Sequence, residues 1–366
     1  MKKFFISGCI MATMFCAGTK AQVFVIQRGD ASSTYSTIQA AVEALQDGDK
    51  LFIPPGVHSL TGSTWTTNHI SERVNQNTLA ISKKVDIIGT GYDQSIESSI
   101  IRDGNFVLST GADGVDPGAS GSTVTGVRFE STLYFDGVSD VLMSRCQAAG
   151  ATHFCETGTG NMLLECDLND QYLSNSPFIY APASNTIEFT VAKCIFRSTY
   201  CDFINSTVNN CIFLAATMAP GSGYGFWLRF ANCKVNNCIF VHTGNTIITV
   251  GFPSFFQNTA FKNNLWVRFN PDLGGSAGCS MENNMSGVPY EDVFTNPAAG
   301  DYTLKPACAC QTIATDGREP GIFGTDFPFK TNRLPSAPHF KSVYISPETD
   351  LDGNLPVKIT IEAQNR

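Results

Sequence analysis

Ala192-Lys193-Cys194-Ile195-Phe196, Asn209-Asn210-Cys211-Ile212-Phe213 and Asn236-Asn237-Cys238-Ile239-Phe240 are variants of one phrase, which Asn263-Asn264-Leu265-Trp266-Val267 and Asn283-Asn284-Met285 continue. Two small polar residues enter a turn and an apolar run follows. Carried backwards in the same register, the phrase reaches Cys166, Cys146 and Val127, which places its lead residues at 127, 146, 166, 194, 211, 238, 265 and 285. The intervals are 19, 20, 28, 17, 27, 27 and 20 residues. Repeats of about 20 to 50 residues mark solenoids. The uneven spacing points to coils of a parallel β-helix that carry loop insertions of different length, each coil stacking on the next.

Within a phrase, the lead residue and the one two places on share a strand face. Cys194 with Phe196, Cys211 with Phe213, Cys238 with Phe240 and Leu265 with Val267 are apolar pairs, so this face is expected inside. Asn209-Asn210, Asn236-Asn237, Asn263-Asn264 and Asn283-Asn284 recur in step just before it. Asparagine tolerates turn dihedrals and its amide both donates and accepts, so an asparagine ladder along the solenoid axis is expected, with a structural purpose.

The N-terminus reads as an export signal over residues 1–21: Lys2 and Lys3, an apolar run from Phe4 to about Ala17, then Thr19-Lys20-Ala21 before Gln22. That run is too short to span a bilayer, and no later apolar run is long enough. The full chain of 366 residues has a formal net charge of −8, and removal of Lys2, Lys3 and Lys20 with the signal takes it to about −11. An acidic protein makes a poor partner for nucleic acid. Of the 13 cysteines, five (Cys146, Cys166, Cys194, Cys211, Cys238) share one register, which favours a column of buried free thiols acting as small hydrophobes. A disulfide between irregular cysteines such as Cys155 and Cys201 is the alternative. No zinc-ligand spacing occurs, and neither metal nor cofactor is expected.

Ser36-Thr37-Ile38-Gln39 has the pattern of a capping box, and Ile38, Ala41, Val42 and Leu45 follow helical spacing up to Asp47-Gly48. Lys50 to Ile53 then reads as a strand before the turn Pro54-Pro55-Gly56. The stretch YSTIQAAVEALQDGDKLFIPPGVH (35–58) resembles the opening of pectate-lyase-like parallel β-helix proteins, and KKVDIIGTGYDQS (83–95) resembles that family's next coil. NPAAGDYTLKPACACQTIATDGREPGIFG (296–324) resembles the closing coil of secreted bacterial members. The resemblance implies an all-β, right-handed single-stranded parallel β-helix over residues 22–330 with an N-terminal cap helix. Residues 331–366 then form a linker and a tail whose Val357, Ile359 and Ile361 alternate with polar residues, a strand that must dock on something.

The middle residue of each phrase is expected to point outward: Arg128, Gln147 and Asp167 in the first half, then Ile195, Ile212, Ile239 and Trp266. The apolar half forms an exterior stripe that the C-terminal strand or the long insertions are expected to cover, with a sugar-binding floor on Trp266 as the alternative. The residues just before the leads place Arg145, Glu165 and Lys193 on successive coils beside Asp167. Their bland reading is a surface charge ladder. Their functional reading is a polysaccharide lyase site, where Arg145 or Lys193 supplies the base or the cation that holds a uronate carboxylate. Glu165 with Asp167 would instead serve a hydrolase as acid and base, or hold calcium. Trp227, Trp266, Tyr172 and Arg128 are the candidate sugar-binding residues, the rings through stacking. The expected function is that of an exported carbohydrate-directed protein that binds a polysaccharide or cleaves it as a lyase or hydrolase. The alternative is a non-catalytic structural or adhesin-like solenoid.

Overall fold

The computed structural model describes residues 23–63, 77–92, 97–110, 116–155, 158–169, 171–172, 187–197, 201–214, 228–242, 247–251, 256–272, 277–330, 339–345, 348–349, 352–354 and 356–362. The chain winds through three long sheets, one strand to each per turn, and so builds a parallel β-solenoid. Sheet A has twelve strands: the antiparallel pair Ala31–Tyr35 and Phe24–Arg28, then ten parallel rungs from Lys50–Phe52 to Ser280–Glu282. Sheet B has ten, from Gly56–Ser59 to Met285–Val288, and sheet C has eight, from Thr78–Ile81 to Phe256–Gln257. The proposed signal lies outside the described residues.

A helix spanning Ile38–Glu43 packs Ile38 and Ala41 onto the first coil. Its N-cap is Thr37, whose hydroxyl accepts from the Ala40 N–H at 3.2 Å. Gln39 does not close the expected capping box; its amide donates to the Ser59 carbonyl and the Ser63 hydroxyl. The helix ends at Glu43, short of Asp47-Gly48.

The interior is a set of columns in which like stacks on like. In sheet B, Phe196, Phe213 and Phe240 lie ring on ring at 4.8 and 4.7 Å, and Trp266 continues the stack at 4.2 Å from Phe240. In sheet C, Phe203 stacks on Phe230 at 5.0 Å and meets Phe213 edge-on at 5.9 Å. Edge-to-face and offset contacts of this kind add about 0.5 to 1.5 kcal/mol to the burial of each ring. The five cysteines of the repeat form a buried column of free thiols, and burial raises the pKa of Cys146, Cys166, Cys194 and Cys211 well above the ordinary thiol range. Cys201 is buried and outside any disulfide, so the Cys155–Cys201 bond is not formed; among the described residues a disulfide joins Cys308 and Cys310.

The repeat register shifts by one residue in its last two copies. Ile239 pairs with Leu265 and Phe240 with Trp266, so the equivalents of Cys238 are Asn264 and Asn284, not Leu265 and Met285. Hydrogen bonding explains the exchange. Along the column, each thiol sulfur accepts the N–H of the preceding coil's corner cysteine, as in Cys194 N–H to Cys211 Sγ at 3.5 Å and Cys211 N–H to Cys238 Sγ at 3.5 Å. Cys238 N–H instead meets Asn264 Oδ1 at 2.8 Å, and Asn264 N–H meets Asn284 Oδ1 at 2.9 Å. A buried N–H needs an acceptor, and either side chain supplies one.

Asparagines do bond to one another along the solenoid, in more than one place: Asn264 donates to Asn284 Oδ1 at 3.0 Å in the interior corner. Asn236 donates to Asn209 Oδ1 at 3.0 Å on the outer side of sheet A. At the corner from sheet C into sheet A, Asn258 donates to Asn232 and Asn232 to Asn205, both at 3.1 Å. Those three residues have left-handed backbones (φ 47°, 56° and 49°), a conformation asparagine accepts at low cost.

Residues 290–329 do not close the solenoid with another coil. They turn back and lie over sheet B as a strap, in which Phe294–Asn296 and Asp301–Leu304 pair antiparallel. The strap packs Val293, Phe294, Tyr302, Leu304, Ile322 and Phe329 onto Ile195, Ile212, Ile239 and Leu265. Among the described residues it is this segment, and not the expected C-terminal strand, that covers the exterior apolar stripe; most of the long insertions lie outside those residues. That strand, Val357–Glu362, pairs antiparallel with His339–Ile345.

Replacing Phe213 by alanine, which removes a ring stacked on both sides, is expected to cost about 3 to 5 kcal/mol in urea unfolding. The same change at Phe327, whose side chain is 64% exposed, should stay within about 0.5 kcal/mol.

Candidate functional site

The corner from sheet A into sheet B turns through a single residue with left-handed backbone in every repeated coil: Gly126, Arg145, Glu165, Lys193, Asn210, Asn237, Asn263 and Asn283. Glycine and asparagine suit that conformation. Arginine, glutamate and lysine do not, at about 1 to 2 kcal/mol each. Their side chains offset part of this cost by pairing along the axis: Arg145 Nε lies 2.7 Å from Glu165 Oε2, and Lys193 Nζ lies 3.5 Å from Glu165 Oε1. The three therefore meet on successive coils, as the spacing predicts.

They do not line an open groove. Arg145 and Glu165 are buried, and Lys193 donates to the Phe327 carbonyl of the strap. The corner side chains below continue the attachment: Asn210 Nδ2 donates to the Gly321 carbonyl at 3.2 Å, Asn237 exchanges two bonds with Thr315, and Asn263 donates to the Ile313 carbonyl. Lys193, at the end of the column that the sequence offers as catalytic, is thus part of the latch that holds the strap. Asp167 is separate from it. It is 1% exposed and takes a bidentate pair from Arg197, Nε at 2.6 Å and Nη2 at 2.8 Å, while Arg197 Nη1 reaches the Tyr302 hydroxyl at 3.4 Å. Glu165 and Asp167 are thus committed to different cations.

Trp266 is not an outward platform. The one-residue register shift turns it inward, where it is 0% exposed and caps the Phe240 stack. Arg128 does face outward on sheet B, paired with Glu130 at 2.7 Å. Trp227 lies outside the described residues. Tyr172 is placed by its backbone alone, in sheet C.

Sheet C holds a polar column that repeat-matching misses. Its strands lie between insertions of unequal length, so no phrase recurs at a fixed distance. The pairing register sets Tyr134 beside His153 and His153 beside Tyr172. Gln171 pairs with Cys201, so the next position in line is Asp202, which pairs with Arg229. Cys201, Phe203, Leu228 and Phe230 belong to the core, so the alternating Asp202 and Arg229 lie on the outer face. Alternation in Cys201-Asp202-Phe203 and Leu228-Arg229-Phe230 is the sequence signal that could have found them.

Asp202 is only 8% exposed although it leaves the core side of the sheet, and its Oδ2 lies 3.4 Å from Arg229 Nη1. Burial pushes its carboxyl up to about 6, with Arg229 opposing the rise. A carboxylate with raised proton affinity beside a fixed guanidinium can exchange a proton near neutral pH and hold a negative group close by. Among the described residues, no cluster of His, Cys, Asp or Glu has the arrangement to hold a metal ion. No protein-family model matches the chain, and no curated protein is significantly similar to it.

The Asp202 carboxyl has a sign to its pH effect. Its folded pKa exceeds the ordinary aspartate value of 3.8, so folding favours its protonated form, and this contribution to stability is lost as pH rises from about 4 through about 6. The Asp202→Asn variant is expected to be more stable than the wild type at pH 7.5 by roughly 1 to 3 kcal/mol and to lose that advantage at pH 4.5. Chemical denaturation at the two pH values measures it.

Proposed function

We propose that this chain is an exported, polysaccharide-directed protein of the pectate-lyase-like kind, a right-handed parallel β-helix that acts on a uronate-containing glycan along the outer face of sheet C. The observation that carries the reading is the Asp202–Arg229 pair in register with Tyr134, His153 and Tyr172, five chemistry-bearing positions on consecutive coils. Proton abstraction beside a uronate carboxylate needs a base and a cation to hold the carboxylate as charge develops. Asp202, ionised above about pH 6 yet more basic than an ordinary aspartate, is the proposed base. Arg229 is the proposed cation. A rigid sheet that repeats every about 4.8 Å offers a polymer successive equivalent positions, which supports an extended ligand over a small molecule. Export rests on the basic and apolar character of residues 1–21.

The second reading is a non-catalytic surface solenoid. It is favoured by the pairing of Glu165 with Arg145 and Lys193 and by the bond from Lys193 to the strap.

Incubation with a panel of uronate-containing and neutral polysaccharides separates the two readings, with unsaturated products followed by absorbance and new reducing ends counted in parallel. The expected result is absorbance on a uronate polymer that rises as pH passes through about 6 and falls at least about 100-fold in Asp202→Asn, the scale of a lost general base. Reducing ends without absorbance would replace the lyase by a hydrolase. Silence in both, with no binding on a glycan array, would leave the structural solenoid.

A further inference from the structure

The outer face of sheet A is unlike the other two. Strap residues cover part of sheet B, and on sheet C the outward Val107 and Asp202 are nearly buried. On sheet A the inward residues Val124, Met143, Leu163, Val191 and Val208 are fully buried, while their neighbours on either side stay partly exposed. Across the five rungs at 123–125, 142–144, 162–164, 190–192 and 207–209, those outward positions hold threonine, serine, leucine, methionine, alanine and asparagine, with no charged residue. A soluble surface usually carries charge on about a quarter to a third of its positions. Met162, at the middle, is 37% exposed, and Leu142 and Leu164 are partly exposed beside it.

On the outward strand positions charge returns at the two ends and at Glu188 of the strand Ile187–Ala192. Lys50 and Asp86 mark the N-terminal end, and Lys234, Lys262 and Glu282 mark the C-terminal end. Asp140 and Glu188 are exposed at the edge where sheet C turns into sheet A, as a polar rim.

We propose that a second copy of this chain docks face to face on the outer side of sheet A. The two solenoids run antiparallel about a twofold axis between the rungs 162–164 and 190–192. That rotation exchanges the ends, so Asp86 of one copy comes over the Lys234 and Lys262 end of the other, and Lys50 comes over Glu282. It also sets the uncharged stretch on itself, and it keeps Glu188 and Asp140 apart by bringing them opposite residues 158–164 and 205–209. A parallel arrangement would set Asp86 on Asp86 and is disfavoured by like charge. Five rungs about 4.8 Å apart span about 20 Å, so the apolar centre is small and the dimer is a weak, reversible one.

Sedimentation velocity and light scattering of the full chain over a concentration series, up to about 200 µM in low salt, test the proposal. Such weak, charge-assisted contacts are screened at high salt. The expected result is a concentration-dependent dimer that weakens at least tenfold in Met162→Arg, in Asp86→Lys and in the double variant Lys234→Asp/Lys262→Asp. A mixture of Asp86→Lys with Lys234→Asp/Lys262→Asp should recover a mixed dimer, because reversed charges then meet across the axis. Thermal melts of each variant check that it folds, and the charge variants decide the matter should Met162→Arg not. A monomer at every concentration overturns the proposal. So does a dimer that none of the substitutions weakens, since its interface then lies elsewhere.

Discussion

Each repeated coil of this solenoid, from Gly126 onward, depends on a single backbone event, the left-handed residue that turns sheet A into sheet B. One residue in that conformation bends the chain sharply enough for the next side chain to enter the core at once. It also leaves the following N–H at a buried corner, where the repeat distance between coils brings it to the side chain above. The cysteine column and its replacement by Asn264 and Asn284 answer the same need, since a thiol sulfur and an amide oxygen both accept that bond. The phenylalanine stack depends on the corner as well: a fixed turn fixes the register, and identical rings then superpose from coil to coil.

The side chain of the turning residue points the other way, and its chemistry changes along the axis. Where it is asparagine, its amide meets the backbone of the strap. Where it is lysine, glutamate or arginine, it forms an ion-pair chain that ends on the same strap through Lys193. The strap in turn buries the apolar outward residues of sheet B, so a face that would otherwise be an adhesive stripe becomes a second core. A solenoid gains stability coil by coil, but this long-range contact ties the coils at Lys193 to Asn263 into one unit.

The candidate site was much less legible than the fold. Arg145, Glu165 and Lys193 stand in a visible repeat, so they drew attention, and their alignment on successive coils was readable from spacing. The engagement of Lys193 with the strap was not, because its partner Phe327 lies more than a hundred positions later in the chain. Trp266 was misplaced for a related reason. Leucine replaces the cysteine's neighbour in that copy, and a repeat aligned on residue type slipped by one, which inverts every side chain in a strand. Asp202 and Arg229 carry the more reactive arrangement, yet they sit between insertions of unequal length and repeat nothing.

Sequence alone determined the parallel stacked architecture, the buried thiol column, the presence of an asparagine ladder and the cap helix. Each of these follows from local periodicity and from the hydrogen-bonding capacity of particular side chains, quantities that do not depend on distant residues. Only the tertiary structure decided the inward turn of Trp266, the return of the strap over sheet B, and the polar column on sheet C. Those depend on which coil lies beside which and on what covers them, and a chain with insertions of variable length does not state its register until the coils have stacked.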